Sequence, residues 1–114
     1  MNLAADKSFR VDLQYNYELN FMFDLVCRSA QMCGFTLDRA DRYNYMINLS
    51  KGMSLWTWGE NIDICMGIIP DGRTGITIIS SPNLGTEIGA RKQNQKNVEM
   101  LINMINSNLN QIPR

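Results

Sequence analysis

From Ser8 to Leu13 the chain alternates, with Phe9, Val11 and Leu13 on one face and Arg10 and Asp12 on the other. A period of two predicts a half-buried strand. The seven residues before Ser8 are small and polar, as expected of a frayed end. Leu19, Met22, Phe23, Val26, Cys27 (or Ala30) and Cys33 then recur at three- and four-residue steps, which predicts an amphipathic helix over 17–33. Asn16 reads as its N-cap, with Glu18 in the first turn where the helix dipole favours an anion. Gly34-Phe35 reads as its stop, the glycine left-handed and Phe35 folded back on the last turn.

Phe35 to Arg42 reads as a charged connection with a short extended piece at 35–37. A second strand is expected over 43–50, with Tyr43, Tyr45, Ile47 and Leu49 on one side and Asn44, Asn48 and Ser50 on the other. Lys51-Gly52 then reads as a tight turn in which Gly52 supplies a positive φ. In the stretch that follows, Trp56 and Trp58 share a face opposite Leu55 and Thr57. Gly59 interrupts this alternation, and a glycine inside a strand marks a bulge or a close backbone approach. A strand over 61–69 carries Ile62, Ile64, Met66 and Ile68 at even positions and ends in Pro70-Asp71-Gly72-Arg73, a turn signal. Thr74 to Ser80 returns as its hairpin partner. After an irregular segment, Ser81 to Ala90, a polar and basic run opens a last helix whose stripe is Val98, Leu101, Ile102, Ile105, Leu109 and Ile112.

The order strand, helix, three or four antiparallel strands, helix predicts a single α+β domain over 1–114. It is a two-layer sandwich, β-α-β-β-β(-β)-α, whose curved antiparallel sheet is covered on one side by two helices.

Composition adds limits. Apolar residues make up 45% of the 114 and charged ones 19%, an ordinary globular balance. Eleven basic residues offset eleven acidic ones, so no long-range field gathers nucleic acid or anionic lipid over a wide surface. Neither a signal peptide nor a run of membrane-spanning length is evident, and the expectation is a soluble cytoplasmic protein with no membrane association. The three cysteines, Cys27, Cys33 and Cys65, include no CxxC pair, and the chain has no histidine. Reduced thiols are expected, with neither disulfide framework nor metal site.

Candidate chemistry is sparse. Without histidine the commonest general base is missing, and no catalytic residue or cofactor is expected. Glu60 and Asp63 could act as acid and base, although surface solubility explains them as well. Cys65 is the most accessible thiol, with nothing basic beside it in sequence. The segment Gly85-Thr-Glu-Ile-Gly89-Ala-Arg91-Lys92 before a helix suggests an anion-binding loop, without the Gly-Lys-Ser/Thr of a P-loop. Its Arg91 and Lys92 stand at the end of the helix that repels cations, so stability alone does not explain them. Trp56 and Trp58 read first as sheet residues packed under a helix, and second as an aromatic platform.

The run Gly52-Met-Ser-Leu-Trp-Thr-Trp-Gly-Glu60, together with Asn94 and Asn97 in the last helix, resembles small uncharacterised bacterial α+β domains with a Gly-x-Ser-Leu-Trp-x-Trp-Gly-Glu motif. The likeness covers most of the chain, its specific part is the central motif, and it implies no activity. The element order is also similar to that of TATA-box-binding-protein-like and helix-grip folds, a likeness of fold that carries no function with it.

Two roles follow. The first is a non-catalytic interaction or self-assembly module, such as a homodimer, using the sheet face that holds Trp56, Trp58, Met46 and Ile79. The second is a binder of a small apolar ligand, in a pocket between the bent sheet and the last helix. The binding candidates are Trp56, Trp58, Glu60, Arg91 and Lys92.

Overall fold

Isoleucines at every second position make the centre of the sheet. The structure, a computed structural model, describes residues 7–52, 59–83 and 89–112. Five strands, β1 (Phe9–Tyr15), β2 (Thr36–Asp41), β3 (Met46–Lys51), β4 (Glu60–Ile68) and β5 (Thr74–Pro82), pair antiparallel in the order β1-β5-β4-β3-β2. Across the middle, Ile47 faces Ile64, Ile64 faces Ile78, and Ile78 faces Val11. Because side chains alternate along strands, these rows share one face, and both helices cover it. Helix α1 (Leu19–Met32) packs on β2, β4 and α2, while α2 (Ala90–Asn110) packs on β5 and β1. Met22, Phe23, Val26 and Ala30 of α1 and Val98, Leu101 and Ile105 of α2 close the core. The expected two-layer α+β sandwich is the fold observed.

Several local expectations need correction. The N-cap of α1 is Glu18, not Asn16: its two carboxylate oxygens each accept one backbone N–H, from Asn20 and Phe21, at 3.0 Å. A carboxylate with two oxygens satisfies two of the orphan donors at the helix start, which the Asn16 side chain two residues earlier does not. At the other end the stop is as expected. Gly34 has φ +87°, its N–H donates to Gln31 O, and Phe35 N donates to Ala30 O, the pair of bonds that defines a Schellman cap.

The strand expected from Tyr43 begins instead at Met46. Asp41 accepts from the backbone and side-chain nitrogens of Asn44, which turns the chain and leaves Tyr43 92% exposed. Tyr45 takes φ +54°, an uncommon conformation for a non-glycine residue. Its hydroxyl donates to Asn20 Oδ1 at 2.9 Å and its ring meets Phe23 edge-on, contacts that offset the strain. The charged connection over 36–41 is a full edge strand. Charged side chains on an edge deter pairing with other chains, so its polarity conceals it from a hydrophobic pattern. Ile68, in line with the even-numbered core row, is 68% exposed at the far end of β4. Gly52 does not have a positive φ.

Gly59 behaves as its position in the sequence suggests. It has φ +96°, and a Cβ there would stand 2.6 Å from Lys51 O and 2.9 Å from Asn83 Nδ2. This close approach brings the end of β3 against the start of β4. The expectations about Trp56, Trp58 and the loop at 84–88 fall outside the described residues, as does most of the N-terminal end.

Candidate functional site

Glu60 begins β4 on the inward face, two residues before Ile62. The even-numbered row that supplies the core therefore opens with a carboxylate, and that carboxylate is only 1% exposed. The reading of Glu60 as a solubilising surface residue is thus corrected by its register. Opposite it on β3 stands Lys51, and on the other side Pro82 of β5.

Helix α2 provides the cover. Asn94 and Asn97 occupy positions that continue the stripe Val98, Leu101 and Ile105 toward the helix start, and both are fully buried. Asn97 Nδ2 donates to Glu60 Oε1 at 2.7 Å. Its Oδ1 accepts from Gln93 Nε2 at 3.0 Å and from Lys51 Nζ at 3.4 Å. One turn earlier, Ser80 Oγ donates to Asn94 Oδ1 at 2.6 Å, and Asn94 Nδ2 donates to Lys7 O at 2.9 Å. A layer of polar side chains thus occupies the end of the sheet–helix interface where apolar packing stops.

One atom in this layer is unsatisfied. Glu60 Oε2 is buried and accepts no hydrogen bond. The ion pairs among the described residues, Arg10–Asp12, Arg39–Asp41, Arg42–Asp24 and Arg73–Asp71, all lie elsewhere. Buried polar groups almost always have partners, and a carboxylate oxygen without one costs more than a neutral group would. A ligand group with an N–H or O–H would remove that cost.

The other predicted site residues lie apart from this centre. Arg91 and Lys92 are exposed in the first turn of α2, which starts after Gly89 with no side-chain cap. Neither forms an ion pair with Glu60. Lys51, Gln93 and Asn97 were missed by the sequence reading, and Asn97 was noted only for its part in the resemblance. Two features that carried that resemblance, Glu60 and Asn97, are hydrogen-bonded to each other.

The outer face of the sheet is polar among the described residues. Thr77 donates to Asp12, Asn48 to Asp63, and Asn61 to Asn83, each at 2.6 Å. Met46, Ile69 and Ile79 are among its apolar members. Cys65 is exposed there, as expected. Burial pushes the Cys27 and Cys33 thiols up from their ordinary value, with the Asp24 carboxylate adding to the shift at Cys27. Among the described residues no three Cys, Asp or Glu side chains gather to hold a metal. No described helix is long and apolar enough to cross a membrane. A groove of 450 Å³ runs along the exposed side of α2 between Lys96 and Ser107, away from Glu60.

No protein-family model and no curated protein sequence matches the chain. Solved structures do. One of them is that of Ara h 8.0201, a protein of the Bet v 1-like fold, with a TM-score of 0.60 over 86% of this chain and 93% of that one. At 7% identity the likeness is one of fold.

Proposed function

We propose that the protein is a small-molecule binding module whose ligand enters between the bent sheet and the C-terminal helix, where Lys51, Glu60, Gln93 and Asn97 converge. The observation that carries this reading is the buried, unpartnered Oε2 of Glu60. Binding sites set a few convergent polar groups beside apolar side chains, and this corner brings both kinds of residue together. Leu49 and Ile62 are the pair next to Lys51 and Glu60 on the same face. Glu60 is the first residue of β4, at the end of the sheet rather than in its middle.

Self-assembly across the outer face has less behind it. The described residues there are joined by polar hydrogen bonds, Thr77 to Asp12, Asn48 to Asp63 and Asn61 to Asn83, whereas the core of an assembly interface is depleted in charged groups.

Tryptophan emission provides the test. Both tryptophans, Trp56 and Trp58, fall between Gly52 and Gly59, the residues that adjoin Lys51 and Glu60 in the chain. A ligand from a metabolite screen should shift emission and raise the melting temperature of the wild-type protein. Glu60→Gln should weaken that ligand about tenfold or more, since the lost hydrogen bond is to a charged group. A ligand that binds Glu60→Gln undiminished would contradict the proposal.

A further inference from the structure

The polar corner also carries information about the ligand's charge. Lys51 stands directly across from Glu60 in the β3–β4 register, yet its Nζ is directed to Asn97 Oδ1 and comes within 4.0 Å of neither carboxylate oxygen. Asn97, a neutral amide, holds Oε1. Among the described residues, Glu60 is therefore buried with one neutral donor and no ion-pair partner, and its Oε2 is open. A buried carboxylate is stabilised best by a cationic donor, because charge-assisted hydrogen bonds are roughly twice as strong as neutral ones.

We infer that the ligand bears a protonated amino group, which donates to Glu60 Oε2. The inference rests on the reading of this corner as a ligand site and narrows it to amines. Glu60 accepts the ammonium, Asn97 holds the carboxylate in place through Oε1, and Gln93 fixes Asn97 through its Oδ1. Lys51 opposes the ligand's charge at longer range and so limits affinity.

The test compares hexylamine, hexanol and hexanoate, three chains of equal length, by amide chemical-shift titration of the wild-type protein at neutral pH. Hexylamine should bind about tenfold more tightly than hexanol, with shifts centred on Lys51, Glu60, Gln93 and Asn97, and hexanoate should bind most weakly. Glu60→Gln should remove most of the preference for the amine, hexylamine losing more affinity than hexanol, as both then meet a neutral partner. Lys51→Met should strengthen hexylamine binding, since a like charge is removed. This second variant, and the wild-type series itself, keep the inference open to refutation if Glu60→Gln fails to fold. Equal binding of hexylamine and hexanol at this corner would overturn the amine assignment and leave the reading of the corner as a ligand site standing. Absence of any shift at these four residues with all three compounds would overturn both.

Discussion

Asn97 donates its side-chain amide to Glu60 Oε1 at 2.7 Å, joining the middle of the last helix to the first residue of β4 inside the protein. The bond satisfies one carboxylate oxygen and leaves the other open. It follows that Asn97 is required for stability more than Glu60 is.

Asn97→Leu should destabilise the protein by about 3 kcal/mol, the usual cost of stripping the partner from a buried charge. Adding Glu60→Met to it should recover most of the loss, because replacing both partners by apolar groups can be nearly neutral. Urea unfolding of the two variants measures this. A double variant no more stable than Asn97→Leu would contradict it.

Gly59→Ala should cost more than about 2 kcal/mol, since a positive φ is strained for alanine and the added Cβ would meet the Lys51 carbonyl. Gly52→Ala, at an ordinary φ with nothing within 4 Å, should change stability by less than about 1 kcal/mol, with stabilisation the expected sign. Thermal melts of the pair should therefore separate widely, and equal melts would contradict the close approach at Gly59.

The Glu18 cap makes a prediction about pH. The N–H groups of Asn20 and Phe21 hold its carboxyl below the ordinary value of 4.5. A lowered value in the folded state means that the cap's contribution is complete above 4.5 and fades as pH falls through the folded value. Glu18→Ala should thus lower the melting temperature at neutral pH and converge with the wild type in strong acid. A difference that persists unchanged in acid would place the effect elsewhere.

Thiol chemistry should be selective. Cys65 is exposed, whereas Cys27 and Cys33 are half-buried with raised values, so less thiolate forms there. Alkylation followed by mass spectrometry should modify Cys65 first. Simultaneous loss of all three thiols in the native protein would contradict the burial of the other two.

The fold was legible because most of its elements obey a period. β1, β4 and β5 alternate, both helices carry stripes, and Gly34-Phe35 and Pro70-Asp71-Gly72 punctuate them. β2 was hidden because an edge strand bearing Asp38, Arg39 and Asp41 has no buried face to reveal it. Tyr43 and Tyr45 suggested an earlier start to β3, but alternation cannot tell a strand from a turn in which the Tyr45 ring packs on Phe23 and Tyr43 stands in solvent.

The candidate site was half legible. Glu60 stands in the same parity as Ile62 and Ile64, and Asn94 and Asn97 each stand four residues before a member of an apolar stripe, Val98 and Leu101. Polar residues at core positions are the sequence signature of a buried polar layer. What the sequence lacks is the pairing: the crossing of α2 over the end of the sheet decides that Asn97 meets Glu60 and that Arg91 and Lys92 do not. Lys51 is legible only once the β3–β4 register is known.

Native mass spectrometry of the protein purified without refolding reads whether a ligand occupies the Glu60 corner. The protein should appear as a monomer carrying a small additional mass, which Glu60→Gln loses while keeping the folded charge-state distribution. A bare monomer, or a dimer with no additional mass, would contradict this reading.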